Sequence, residues 1–286
     1  MKNVKEVLIE IINLKSRVKY FPNRGNAGDS LINVGFYMLA ESIGLDYEII
    51  NYNEVEKISK DDVVITGGGG ALVPEQLTVL KCYEYIIENS AKLIILPQSI
   101  YGVDDLVKRI RKQDVLFCRE MHSLNYCQSI THDFELYIDD DMAFHVDFEK
   151  LKGIKINYSP ELSLYNSFRF LIFNYHKLVG SKINSKILAF RCDREINSNI
   201  LVSRKKHNDI SAVARFAAGG VDESFYSAKK FLELIDLYEE IFTDRLHVVI
   251  AAGILGKRVF AYSNSYYKVE GIIEYSMSGF ANVVKI

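Results

Sequence analysis

Arg245 and His247 stand two residues apart in the segment TDRLH (243–247), between an apolar run that ends at Thr243 and a helix-like run that starts at Arg245. A guanidinium grips a carboxylate or phosphate through paired N–H donors. An imidazole gives or takes a proton near neutral pH, and the amides at a helix start favour an anion. Together they predict a site that binds an anionic substrate and moves a proton. A second pair, Arg191 and Asp193 in FRCD (190–193), also follows an apolar run. The other five histidines (His122, His132, His145, His176, His207) have no comparable setting. Neither HExxH nor a His/carboxylate cluster points to a metal.

The first half carries further candidates in loops. GNAGD (25–29) combines glycines, which let a backbone approach a ligand closely, with Asp29 or Ser30 as a helix cap; a plain capped turn fits the same residues. TGGGGA (66–71) follows DDVVI. It is neither GxGxxG nor a phosphate loop ending in Lys-Ser/Thr, so a nucleotide fingerprint is not supported. A small anion or a close-packed sugar fits it, and so does tight helix–strand packing. LPQS (96–99) and FCRE (117–120) place Gln98, Ser99, Arg119 and Glu120 at the ends of successive apolar runs.

The elements that must position these residues alternate. Strands are predicted at 18–21, 47–51, 63–66, 93–96, 115–118 and 134–138, with helices at 30–43, 75–90, 104–112 and 120–130. After a lapse over 147–185 the alternation resumes: strand 187–190, an apolar segment at 210–213, helix 224–234, strand 240–243, helix 245–255 and strand 258–262. Such alternation predicts right-handed crossovers and mostly parallel sheets. The expected fold is α/β with two Rossmann-like halves, domains 1–160 and 161–286. Two such halves facing each other place a cleft at the carboxyl ends of their strands, where open α/β folds bind ligands.

Composition sets the outer bounds. The 286 residues are 49% hydrophobic and 25% charged, with a net charge of −2. That suits a globular chain with a real core and gives no general attraction to nucleic acid or acidic membranes. Cys82, Cys118, Cys127 and Cys192 are scattered, as expected of free thiols in a reducing compartment. The N-terminal stretch has apolar residues at helical spacing interrupted by Glu6, Glu10 and Asn13, which predicts an amphipathic helix and not a secretory signal. No run reaches the roughly 20 apolar residues of a membrane span, so a cytoplasmic protein is expected. The aromatic stretch at 164–178 is expected as a core helix between the halves. Its aromatics and cations also suit peripheral contact with a membrane at its inner face.

GNAGDSLI (25–32), ITGGGGAL (65–72), LPQSI (96–100), CREMHS (118–123), DDMAF (140–144), AFRCDRE (189–195) and TDRLHVVIAAGILGKRV (243–259) occur in this order over nearly the whole chain. This ordered set resembles the polysaccharide pyruvyl transferase family; region 147–185 carries no matching motif. The resemblance implies a GT-B-like pair of Rossmann-like domains, the first on the acceptor side and the second binding phosphoenolpyruvate. It implies transfer of a pyruvyl group to a sugar of a cell-surface polysaccharide or its precursor, forming a cyclic ketal and releasing phosphate. No cofactor is expected beyond phosphoenolpyruvate as co-substrate, and the acceptor would be a glycan or lipid-linked sugar. Arg191, Arg245 and His247 then fall at donor-binding and catalytic positions, with His247 as general acid and Asp29 or Asp141 as base. Leu246, Asn26, Gly28, Gly68, Gly69, Gln98, Ser99 and Arg119 complete the expected substrate-binding set. Two rivals share the architecture or the fold elements: a glycosyltransferase with a nucleotide-sugar donor, and a non-catalytic glycan-binding protein.

Overall fold

In the computed structural model the described residues are 1–130, 133–161, 163–180, 186–193, 196, 202, 204–216 and 219–286. Arg194 and Glu195 of the AFRCDRE motif, and His132, lie outside them. The chain divides into two compact units: residues 1–23 with 35–145, and residues 24–34 with 146–286.

The first unit opens with α1 (Val4–Asn13), started by an Asn3/Glu6 capping box and burying Val4, Val7, Leu8 and Ile11 along one stripe. Then come β1 (Arg17–Phe21), α2 (Ala27–Ile43), β2 (Glu48–Ile49), β3 (Asp62–Thr66), β4 (Gly69–Leu72), α3 (Leu77–Asn89), β5 (Lys92–Ile100), α4 (Asp104–Arg109), β6 (Val115–Cys118), α5 (Met121–Ser129) and β7 (Glu135–Ile138). The strands form one parallel sheet in the order β2-β1-β3-β5-β6-β7, with β4 beside the end of β5. Val64, Leu93, Ile95 and Leu116 from the sheet pack with Ile86, Ile87, Val107 and Leu124 from the helices. Continuous apolar runs such as β3 and β6 are buried from end to end, as strands covered on both faces must be.

Two sequence expectations change here. LPQS is not a strand end, because β5 continues through it. Pairing with β3 stops at Ile95 and pairing with β4 begins at Gln98, with an irregular register on the β6 side between the same residues. Pro97, which has no N–H to give, sits at that switch. The glycine run is likewise not all loop, since Gly69 and Gly70 open β4.

The second unit contains α6 (Phe148–Gly153), α7 (Leu164–Gly180), β8 (Lys186–Leu188), α8 (Ile210–Val213), α9 (Val221–Asp236), β9 (Glu240–Thr243), α10 (Leu246–Ile254), β10 (Arg258–Ala261), α11 (Lys268–Ser276) and β11 (Val283–Lys285). Among the described residues the sheet is parallel, in the order β11-β10-β9-β8. The apolar α10 is buried almost all round, through Leu246 and Val248 to Gly253. The division falls at His145 and not at residue 160. Phe148 and Leu151 are buried where α6 packs against α9, and Lys229 donates to the Ile154 carbonyl (2.7 Å). Residues 24–34, placed by the sequence reading in the first half, group with the second unit: Arg215 donates to the Arg24 carbonyl (3.2 Å) and Asn33 to Ser224 (3.4 Å).

Segment 164–178 is a helix, but only one side of it is core. Phe173, Arg169 and His176 turn inward, with Phe173 and Phe170 against Phe216. Leu164, Phe168, Leu171, Tyr175 and Leu178 are exposed.

Candidate functional site

In the first unit the sequence candidates do meet, but mostly to bind each other. Arg119 is almost fully buried; it donates to Ser99 Oγ (2.8 Å) and to the fully buried Asp141 (2.7 Å). The other Asp141 oxygen accepts from the Ala143 amide (2.8 Å). Gln98 is also fully buried; it donates to the Gly67 carbonyl (2.7 Å) and accepts from the Ala71 amide (3.3 Å), so it fastens the glycine run to β5. A Cβ on Gly68 would lie 2.7 Å from the Pro97 carbonyl oxygen, and Gly69 has φ +114°. Close packing and a left-handed backbone therefore account for both glycines without a ligand. Glu120 caps α5 by accepting from the Ser123 amide (2.9 Å).

The second unit gathers a denser group, and the topology explains why. β8 and β9 are parallel neighbours, so the segments leaving their carboxyl ends run side by side. Thr243 ties them: its hydroxyl donates to the Ala189 carbonyl (2.8 Å) and accepts from the Arg245 amide (3.0 Å). Arg191 leaves β8, and Asp244, Arg245, Leu246 and His247 leave β9 into the start of α10.

Among the described residues, three arginines and three aspartates interlock there. Arg245 is clasped by Asp209 through Nε (3.0 Å) and Nη2, and reaches Asp193 through Nη1 (2.8 Å). Asp193 also takes a bidentate pair from Arg191 (2.7 and 3.1 Å). Asp244, fully buried, accepts from the Arg191 amide (2.8 Å) and from Arg204 (2.7 Å). With its amide oriented to suit both neighbours, Asn264 accepts from Arg191 Nη1 (3.2 Å) and donates to the Tyr266 carbonyl. Burial by itself would lower the Arg245 pKa, but Asp209, Asp193 and Asp244 hold it above the usual guanidinium value. Asp193 is the partner most open to solvent: its side chain is 44% exposed, against 4% for Asp209 and 0% for Asp244.

GNAGD packs on the same unit. Gly28, in the first turn of α2, comes so close to the His247 imidazole that a Cβ there would sit 2.4 Å from Nδ1. Asn26 accepts from the Gly28 amide (2.8 Å), and Asp29 accepts from the Asn26 amide (2.7 Å), so Asp29 folds back on its own turn. Asn26, Gly28, Asp29, Arg191, Arg245, Leu246 and His247 thus belong to one unit. Gly68, Gly69, Gln98, Ser99, Arg119 and Asp141 belong to the other.

Sequence reasoning did not pick out Arg204 or Asp209. Asp209 stands just before an apolar run that forms helix α8, with Asp209 as its N-cap, and a helix reading of that run would have drawn attention to it. Arg204 lies in a basic run with no distinguishing spacing.

Among solved structures, a functionally uncharacterized protein from Klebsiella pneumoniae subsp. pneumoniae NTUH-K2044 is similar to this chain. It has 28% identity and a TM-score of 0.75, with 100% of this chain and 99% of that one covered. No curated protein matches. The family model for polysaccharide pyruvyl transferase matches residues 26–266, a span that holds Asn26–Asp29, the arginine–aspartate network and His247. The chain belongs to the polysaccharide pyruvyl transferase family.

Proposed function

We propose that the chain transfers the pyruvyl group of phosphoenolpyruvate to two hydroxyls of a sugar in a cell-surface polysaccharide or its precursor, giving a cyclic ketal and inorganic phosphate. One observation carries the donor assignment. The Asp193 carboxylate lies between the guanidinia of Arg191 and Arg245, bidentate on the first. The second unit is therefore shaped to hold a carboxylate, and a phosphate suits the same fork. Arg191 and Arg245 both already hold the Asp193 carboxylate, so an anion that enters their fork displaces it. Asp193 is the most exposed of the three aspartates and is the one to leave. Asp209 stays on Arg245 and keeps its fork aligned.

In this reading the donor lies on Arg191 and Arg245, near the start of α10. His247, at the second position of that helix, delivers a proton to the methylene carbon, and C2 becomes oxocarbenium-like. A sugar hydroxyl adds to C2 and loses its proton to a base, giving a tetrahedral phospho-ketal. The C–O bond to phosphate breaks, a second hydroxyl adds, and its proton leaves. One proton ends on the new methyl group and one on phosphate. Asp29 is the better candidate base of the two considered, because Asp141 is fully buried on Arg119. The donor site belongs to the second unit in this proposal, and the first unit serves the acceptor.

The test is a thermal-shift titration with phosphoenolpyruvate against a panel of nucleotide sugars. A ligand at about 100 times its dissociation constant adds roughly 2.7 kcal/mol of stability. A shift with phosphoenolpyruvate that disappears in Arg191→Ala supports the proposal. A shift with a nucleotide sugar alone replaces it with glycosyl transfer. Arg191 is the residue to remove, because removing Arg245 would leave the buried Asp209 unpaired and unfold part of the unit.

A further inference from the structure

The outer face of α7 has a pattern of its own. Leu164, Phe168, Leu171, Tyr175 and Leu178 are each between 52% and 94% exposed. Their spacing alternates four and three residues, the 3.5-residue repeat of a coiled-coil seam, with leucine at every d position and an aromatic at every a position. A helix that only covers its own core needs no second apolar stripe. The inward face already serves that purpose: His176 is held between the Tyr238 hydroxyl (2.6 Å) and the His207 carbonyl (2.5 Å), and Phe173 is buried.

We infer that this seam is a self-association surface, covered by α7 of a second copy of the chain about a two-fold axis. Three observations select that occupant. With Tyr165 on its margin, the seam offers roughly 800 Å² per copy, the share each partner gives to a standard stable interface. The positions flanking it on one side are Ser167 and Asn174, small and neutral, so two identical faces can approach without like charges meeting. The cations that a membrane-surface helix would set beside its apolar face are directed elsewhere. Arg169 and His176 are buried, and Lys177 lies 3.2 Å from Glu233 of its own chain. This goes beyond the catalytic proposal and does not depend on it.

The experiment is light scattering with size-exclusion chromatography on the full chain at micromolar concentration, for the wild type and for Leu171→Glu. Leu171 is exposed, so the substitution leaves the single chain folded, and a circular dichroism melt verifies this. The expected result is twice the 32.7 kDa chain mass for the wild type, and the single-chain mass for the variant, with dissociation roughly thirtyfold or more easier. A single-chain wild type overturns the inference. If that single chain also sediments with phosphatidylglycerol vesicles and Leu171→Glu does not, the face is a lipid surface instead. A double mass that persists in Leu171→Glu also overturns it, since another surface must then hold the pair.

Discussion

Gly28 and His247 touch backbone to ring: a single methyl at residue 28 would lie 2.4 Å from the imidazole Nδ1. No Cβ fits there, and the ring or the first turn of α2 would have to move. In the proposed scheme Gly28→Ala is therefore expected to cut kcat about a hundredfold by misplacing His247, the proposed acid. The thermal shift with phosphoenolpyruvate should persist, because the arginine fork is untouched. Steady-state kinetics together with the shift assay check this, and an unchanged kcat would remove His247 from the proton transfer.

Asp193 competes with the donor in the proposed scheme. Asp193→Ala should lower the KM for phosphoenolpyruvate by about two- to fivefold, the range expected for breaking a partly exposed ion pair. A higher KM would mean that Asp193 helps to hold the donor fork in place.

Asp141 offers a test that separates structure from chemistry. Its carboxylate is fully buried on Arg119, and breaking such a pair from one side typically costs about 3–5 kcal/mol. Asp141→Asn should lower the melting temperature strongly. A variant that melts like the wild type but has lost turnover would return Asp141 to the role of base.

A buried histidine, His176, and a half-buried one, His145, set a pH dependence of stability. Burial pushes His176 down, against the pull of the His207 carbonyl. It also pushes His145 down, against Asp139, Asp140 and Asp141. In both cases the unfolded chain binds the proton more readily. Their contribution is complete above the unfolded value of about 6.5 and declines as pH falls below it toward the lowered folded values. Melting temperature should fall between pH 7.5 and 5.5, less steeply in His176→Gln; equal slopes for the two proteins would exclude His176 as a cause.

The alternation of apolar runs made the parallel sheets legible, because buried parallel strands such as β3 and β6 are short and largely apolar. It was silent where residue type and role diverge. The glycine run resembles a loop, yet Gly68 is bare because the Pro97 carbonyl lies against it, and Gly69 because its backbone is left-handed. Arg245 was expected to bind a substrate anion; the carboxylates that hold it come from residues 193 and 209, and no spacing rule links those to 245. The aromatic stretch in α7 suggested a core helix, since composition alone does not tell one apolar face from two.

The second unit is assembled from two stretches of chain with nearly all of the first unit between them. On the ribosome, Gly28 is made long before the His247 ring it will wall in. The early segment must wait for α10 to exist, and contacts so distant in sequence slow folding. A fragment starting at Val146 would have the arginines, the aspartates and the imidazole, but not the backbone that packs against that imidazole. No single cut in the chain yields both units whole.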